Sequence, residues 1–527
     1  SLIRSLFSDI FCVFLVISST KAQEIQRIEL PVPGGSQTYQ TIPVGHQGLI
    51  LVSKPDKFSY RVERLDTDFK KVWNIEGAIA SGLDFITSTY DGRSVYLLFG
   101  RSRGIQYHVV KVSIGPGFVE TFIINTLDRF QITDFKTLGY AVFLAGVVRE
   151  EPLLMHTDLL TLQSRILPSA IKGSNSIQAI EVDTTLRVAH VSFVLRKGKQ
   201  TRIVSRSYNE LGELVAQATV DPKPEYSLLN GRLQMLNDSV SVMIGTYGYR
   251  NMQTNSSVAS QGLFVTKFIW DQEQYTQYHS FTDFANFFNF MSERQQEKME
   301  RKIQKRKETG GDVKLNYRLL VHDLILQGEE FVLVAEVFYP EYRYQNPNMM
   351  GMSPFWGSPF MWGSPFGMGL WNPWLWNPFW GGMGGGAMNH QVFDGFVYTH
   401  AVVAGIDASG KLKWDNSISY NNVKSMELSK KVKVQMSGPQ SAQLVYSHNG
   451  GIKSMRILGT RVLDEKVLVG TETGQEGDKV RKTYTDDVAY WYDNNYLSWG
   501  EQRISNPTGD VQTRGRRTVY YLTKIAF

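Results

Sequence analysis

The chain has 527 residues, 42% hydrophobic and 20% charged, with a formal net charge of +6 and one cysteine, Cys12. This is an ordinary globular composition, and the small, locally clustered positive excess argues against a nucleic-acid-binding surface. One cysteine excludes a disulfide framework within these residues, so a fold of this size must rest on core burial.

Residues 1–22 read as a secretory signal peptide. Arg4 supplies the positive region, Ile10 to Ile17 the apolar run, and Thr20-Lys21-Ala22 a small-residue cleavage site before Gln23. Cys12 falls inside that segment, so the processed chain would have no cysteine. Asp9 stands where a lipoprotein signal carries Leu, which argues against lipidation. After Gln23, EIQRIELPV looks like a lone strand.

A ladder of hairpins follows. It reads YRVERLDTDFKKVWNIEG from Tyr60, YHVVKVSIGPGFVETFII from Tyr107, LLMHTDLLTLQSRIL from Leu153, and RIVSRSYNELGELVAQATV from Arg202. LFVTKFIWDQEQYTQYHS from Leu263, THAVVAGIDASGKLKWDNSI from Thr399 and GGIKSMRILGTRVLDEKVLV from Gly450 continue it. Turn residues fall near Asp66, Gly115, Asp158, Glu210, Asp271, Asp407 and Gly459. Short apolar or alternating runs such as SVYLLFGR, YAVFLAGVV and VSVMIGTYG precede the hairpins. Short β-rich runs bounded by turn residues, four to a unit, predict the blades of a β-propeller. The C-terminal stretch VAYWYDNNYLSWGEQRI and RRTVYYLTKIAF holds three strands. Adding the lone N-terminal strand to them would complete a last blade and leave no open sheet edge. The expected fold is therefore all-β, an eight-bladed propeller whose terminal strands share a blade; seven blades result if one unit is divided wrongly.

IDASGKLKWDNSI at Ile406 to Ile418 resembles the repeat of the PQQ-like eight-bladed propellers, with Asp, a Gly-Lys pair and Trp at its offsets. TDFKKVWNIEG is similar without the Gly, and NELGELVAQATV without the Trp. The chain also resembles uncharacterised exported proteins of the Bacteroidetes. The quinoprotein enzymes of that superfamily hold pyrroloquinoline quinone, several beside a vicinal disulfide. The processed chain has no cysteine and no recognisable calcium-binding carboxylate cluster, so no cofactor is expected. The resemblance then implies the superfamily's other role, a scaffold at the bacterial outer membrane.

Two excursions interrupt the repeats of the single domain expected over 23–527. The first, 284–311, reads as a basic amphipathic helix. Phe284, Phe287, Phe288, Met291, Met299 and Ile303 fall at helical spacing, and Arg301, Lys302, Lys305 and Arg306 crowd its second half. Ser292 with Gln295 offers a second possible start, and Gly310-Gly311 a stop. Two uses are open for it: a solvated helix docked by its phenylalanines, or a basic contact to acidic headgroups or an acidic partner.

The second excursion, 346–390, has no Asp, Glu, Lys or Arg, yet contains six of the eleven tryptophans and seven of the sixteen methionines. Its Pro and Gly content opposes a helix, and it has no unbroken run long enough to span a bilayer. Contiguous apolar surface of this kind marks a partner or membrane contact. The expected anchors are Trp356, Phe360, Trp362, Phe366, Trp371, Trp374, Trp376, Phe379 and Trp380, with Arg301, Lys302, Lys305 and Arg306 beside them. Self-packing over the propeller is the competing expectation. Histidines are sparse, none in HExxH, and Gly382 to Ala387 fits a dinucleotide pattern only formally.

No catalytic constellation or metal site is recognisable. The expectation is a non-enzymatic, exported interaction scaffold, periplasmic or outer-membrane-associated, whose partner is an envelope protein or a membrane surface. The alternative is a hydrolase, or a glycan- or peptide-binding propeller, with its site at the central channel.

Overall fold

The computed structural model describes residues 25–527 except 33–38, 102–103, 150, 168–173, 199, 254–257, 345–390, 427, 469–472, 474 and 509–514. Its strands form eight antiparallel sheets arranged as the blades of a propeller. Blade 1 runs through Gln40–Pro43, Leu49–Ser53, Ser59–Leu65 and Lys71–Ala78, each strand beside the next. Blades 2, 3 and 4 repeat that order over 84–125, 131–167 and 174–220. Blade 5 (226–280), blade 6 (318–425) and blade 7 (433–468) follow.

Position within a blade explains the patterning of its strands. The second strand is flanked by sheets on both faces, and SVYLLFG at Ser94–Gly100 is buried at every residue. The fourth strand lies at the rim, and KVWNIEGA at Lys71–Ala78 alternates between exposed and half-buried. Both patterns follow from stacking sheets around an axis.

Eight apolar clusters account for the stability, one at each junction between blades. Val62 and Val95 share the cluster of blades 1 and 2, Val109 and Val142 that of blades 2 and 3, Phe143 and Val191 that of blades 3 and 4. Ile203 and Phe264, Val265 and Leu333, Val403 and Leu444, and Val445 and Tyr496 continue the series to blade 8. The last cluster joins Leu49, Leu51 and Phe69 of blade 1 to Trp491, Leu497 and Leu522 of blade 8, and so closes the ring. Each buried Leu, Ile, Val or Phe contributes on the order of 1.5–3 kcal/mol.

Blade 8 is assembled from both ends of the chain, as expected from sequence. Lys479–Tyr492, Asn495–Asn506 and Gly515–Ala526 form its first three strands, and Ile25–Pro31 its fourth. The closing pair runs from Ile25 opposite Ile525 to Pro31 opposite Val519. Polar contacts fix that register. Arg27 donates to Glu29 (2.8 Å) and to Gln502 (3.0 Å), while Arg517 bridges Glu29 (3.2 Å) and Asp478 (2.5 Å).

The repeated turn has a common geometry at three blades. Asp66, Asn209 and Asp407 each accept, through Oδ1, the amides two and four residues on, at 2.9–3.0 Å. The residue three positions on is left-handed: Phe69 (φ 61), Gly212 (φ 70) and Gly410 (φ 82). Glycine takes that conformation without cost, whereas Phe69 is held there by its packing on Trp491, ring centroids 5.7 Å apart. Neighbouring blades are latched by similar contacts. Trp73 Nε1 donates to Ile114 O (3.1 Å), His156 Nε2 to Glu210 O (2.8 Å) and His279 Nε2 to Gly410 O (2.7 Å).

The helix is shorter than the expected 284–311, covering Glu293–Glu308. Phe281, Phe284 and Phe287 are buried in the core between blades 5 and 6. The Asp415 carboxylate takes the amides of Ala285 (2.8 Å) and Asn286 (2.7 Å), and Ser417 Oγ donates to the Asn286 carbonyl (2.7 Å), an acceptor that a helix running through this stretch would use itself. Ser292 provides the start instead, its amide donating to Gln295 Oε1 at 3.1 Å.

Candidate functional site

Blade 6 carries both excursions at one end. Its second and third strands, Glu330–Tyr344 and Gln391–Ile406, are 15 and 16 residues long, well beyond the usual strand. They pair from Phe331 opposite Ile406 to Tyr344 opposite Gln391. The blade's first strand begins at Arg318 opposite Phe338, so the ladder continues six residues past it. At about 3.4 Å per residue that is an extension on the order of 20 Å. Lys424 braces it, reaching Glu341 (2.5 Å) and Asp394 (2.6 Å). The helical connector joins blade 6 at Arg318, the end from which the ladder extends.

Trp356, Phe360, Trp362, Phe366, Trp371, Trp374, Trp376, Phe379 and Trp380 lie outside the described residues. Arg301, Lys302, Lys305 and Arg306 are exposed on the helix, whose Met299 and Ile303 rest on the core between blades 5 and 6. Among the described residues, Lys307 with Asp283 (2.5 Å) is the helix's ion pair, and Arg301 donates to its own Glu297 carbonyl. The cationic face is thus directed to solvent, while the phenylalanines ahead of it dock.

A second candidate lies at the axis, and no sequence motif announced it. The first strands of successive blades and the segments beside them bring Lys136 (blade 3), Arg232 (blade 5), Asp323 (blade 6) and Lys430 (ahead of blade 7) to the lining of a cavity of about 330 Å³, with Glu181 (blade 4) next to Arg232. Arg232 is 1% exposed. Its Nε stands 3.8 Å from Glu181 Oε1 and 3.8 Å from Asp323 Oδ1, and Nη2 donates to Val321 O at 3.2 Å. Nε and Nη1 have no hydrogen-bond partner among the described residues, nor does Glu181 Oε2. Lys430 Nζ is 3.3 Å from Asp323.

Environment divides the two carboxyls. Burial pushes Glu181 up to about 7, against the opposing pull of Arg232. Burial also raises Asp323, but Lys430, Arg232 and Lys136 outweigh it and hold the group below the usual carboxylate range. The Asp323 side chain is nonetheless 63% exposed: it faces channel space enclosed by protein. Burial lowers Lys430 as well.

The neighbouring His322 and Glu336 are satisfied. His322 lies between strands and donates to Glu336 at 2.6 Å. Glu336, fully buried, also accepts from Tyr420 (2.6 Å) and the Lys431 amide (2.7 Å). It is a structural hub, in contrast to the open guanidinium of Arg232. Among the described residues, no three His, Asp or Glu side chains converge as a metal-ligating group.

No family model and no curated protein matches the sequence. Solved structures of similar shape include the polysaccharide lyase Uly1, at 8% identity and TM-score 0.39, over 85% of this chain and 91% of that one. A prolyl endopeptidase structure follows at 8% identity and TM-score 0.36, over 84% of this chain and 50% of the other. The β-propeller domain of the Trilobed protease from Pyrococcus furiosus has 8% identity and TM-score 0.33, over 83% and 95%.

Proposed function

We propose that the protein is a non-enzymatic, exported propeller scaffold at the cell envelope, contacting a protein partner or membrane surface through its uncharged 346–390 segment. The observation that carries this reading is the ladder of blade 6. It extends past its own sheet and brings the two ends of that segment together at Tyr344 and Gln391. A sequence with six Trp and no charge is costly to leave in water, and the strands on either side of it are the extended ones. The solvated basic helix joins the same end of the blade and suits an acidic surface. The shared turn of Asp66, Asn209 and Asp407 is consistent with a PQQ-like repeat, in its scaffold form.

The test replaces 345–390 with Asn-Gly, a two-residue hairpin turn. We expect an unchanged circular dichroism spectrum and melting temperature, with loss of envelope co-fractionation. A truncated protein that still co-fractionates as the full chain does rejects the reading. A second reading, a hydrolytic site in the channel, draws on Glu181 and Asp323, whose ionisation is pulled in opposite directions. Turnover of a polysaccharide or peptide that is lost in both E181Q and D323N would establish it.

A further inference from the structure

The guanidinium of Arg232 poses a chemical problem that the scaffold reading leaves untouched. A buried arginine normally has its donors occupied, because an unpaired buried N–H group forfeits its hydration with no return. Here Nε and Nη1 are unpartnered beside the axial cavity, and the two nearest carboxylate oxygens stand at 3.8 Å, beyond hydrogen-bond range. Glu336, only a few residues from the same space, shows that this fold does saturate buried charge elsewhere.

The sign of the lining points to the missing partner. Lys136, Arg232 and Lys430 face the cavity against Asp134 and Asp323, while Lys433, also on the lining, pairs with Asp487 (3.6 Å) and donates to Lys430 O (3.0 Å). Asp134 is already occupied, accepting the amides of Phe135 (2.8 Å) and Ile180 (3.0 Å). Asp323 is compensated by Lys430. Glu181, which burial holds near neutral-pH titration, adds less than a full negative charge and in its protonated form is a donor. The balance is cationic, and the cavity lies at the small end of ligand-binding volumes.

We propose that the axial cavity is a binding site for a small oxyanion, a carboxylate- or phosphate-bearing molecule. Its oxygens accept from Arg232 Nε–H and Nη1–H and from the Lys430 and Lys136 ammonium groups. Asp323 acts as the gatekeeper of affinity, since its charge both repels the ligand and competes for Lys430. This site does not depend on the 346–390 segment, so the two proposals fail independently.

The experiment is isothermal titration calorimetry on the full chain at low ionic strength, with inorganic phosphate, succinate and, as an uncharged control, glycerol. Phosphate and succinate distinguish the two sources of the same chemistry. We expect saturable binding of at least one oxyanion and none of glycerol. Arg232→Met should abolish it. Lys430→Met, at a less buried position, should weaken it about tenfold and serves if the Arg232 variant does not fold. Asp323→Asn should tighten it several-fold, an effect that a purely structural charge cluster would not produce. Absence of saturable binding by the folded wild-type chain overturns the proposal. So does binding that persists unchanged in Lys430→Met and Asp323→Asn, since the ion would then sit elsewhere.

Discussion

The imidazole of His400 lies face to face with the ring of Phe290, centroids 4.1 Å apart and planes 8° from parallel. His400 belongs to the third strand of blade 6, and Phe290 to the connector that leads from blade 5 to the helix. Phe287 approaches the same imidazole edge-on at 5.1 Å, and Thr399 Oγ1 is 2.9 Å from its Nδ1. The connector is therefore seated on a neutral, fully buried histidine.

That seating makes the fold sensitive to acid. Burial pushes His400 down to about 3 and His190 down to about 4. Below about pH 6.5 the unfolded chain takes up protons at these positions and the folded chain does not. The stability they carry is thus complete above that value and declines as the pH falls towards the folded values, by up to ~1.4 kcal/mol per unit for each group. Glu181 acts in the opposite direction, because its raised pKa favours the folded state as the pH drops from about 7 towards 4.5. The informative quantity is the difference between variants. Between pH 7 and 4.5 the melting temperature of His400→Gln should fall less steeply than that of the wild type.

Asp415 should control whether the connector stays docked. It is 2% exposed and holds two consecutive amides. Ala285 is exposed and Asn286 half-buried, so Asp415→Ala removes two hydrogen bonds whose amides water can reach, at about 1 kcal/mol each. Limited chymotrypsin digestion should then cut among Phe284, Phe287, Phe288 and Phe290 well before any cut in the wild type. Equal cleavage rates would show that the aromatic contacts suffice.

Phe69 offers a test in which local strain and packing oppose each other. Phe69→Gly relieves a left-handed residue of about 1–2 kcal/mol, but removes a ring whose loss from a core costs about 3–5 kcal/mol. The net expectation is a destabilisation of roughly 2 kcal/mol, read by urea denaturation. A gain in stability would mean that the stack on Trp491 contributes little.

Neutralising the helix should leave the fold alone and weaken membrane contact. Lys302, Lys305 and Arg306 are exposed, and the triple change to Gln should alter stability by no more than about 1 kcal/mol. The partition coefficient onto vesicles containing anionic lipid, read by sedimentation, should drop about 100-fold, at roughly 1 kcal/mol per basic residue near the surface. Vesicles of neutral lipid provide the baseline, and undiminished sedimentation on the anionic ones would remove the helix from the contact.

The ring was legible because its signals are local. Asp66 and Asp407 stand one turn from the strands they join, and the apolar second strands, such as Ser94–Gly100, are continuous in sequence. Even the shared last blade could be counted, since three strands at one end lacked the fourth found at the other. The helix start was misplaced because Phe284 and Phe287 have helical spacing, while the side chains that anchor this stretch, Asp415 and Ser417, lie about 130 residues away. The axial cluster was hidden for the same reason. Lys136, Glu181, Arg232, Asp323 and Lys430 are single charges from different blades, and only ring closure makes them neighbours.

Because Ile25–Pro31 waits for Gly515–Ala526, synthesis order matters. Everything up to Gly515–Ala526 has to emerge from a ribosome or translocation pore before Ile25–Pro31 finds its seat. During that interval Leu49, Leu51 and Phe69 have no cover from Trp491 and Leu497. Half-made molecules therefore present a greasy flank next to an unsatisfied strand, which is the form a holdase chaperone would have to shelter.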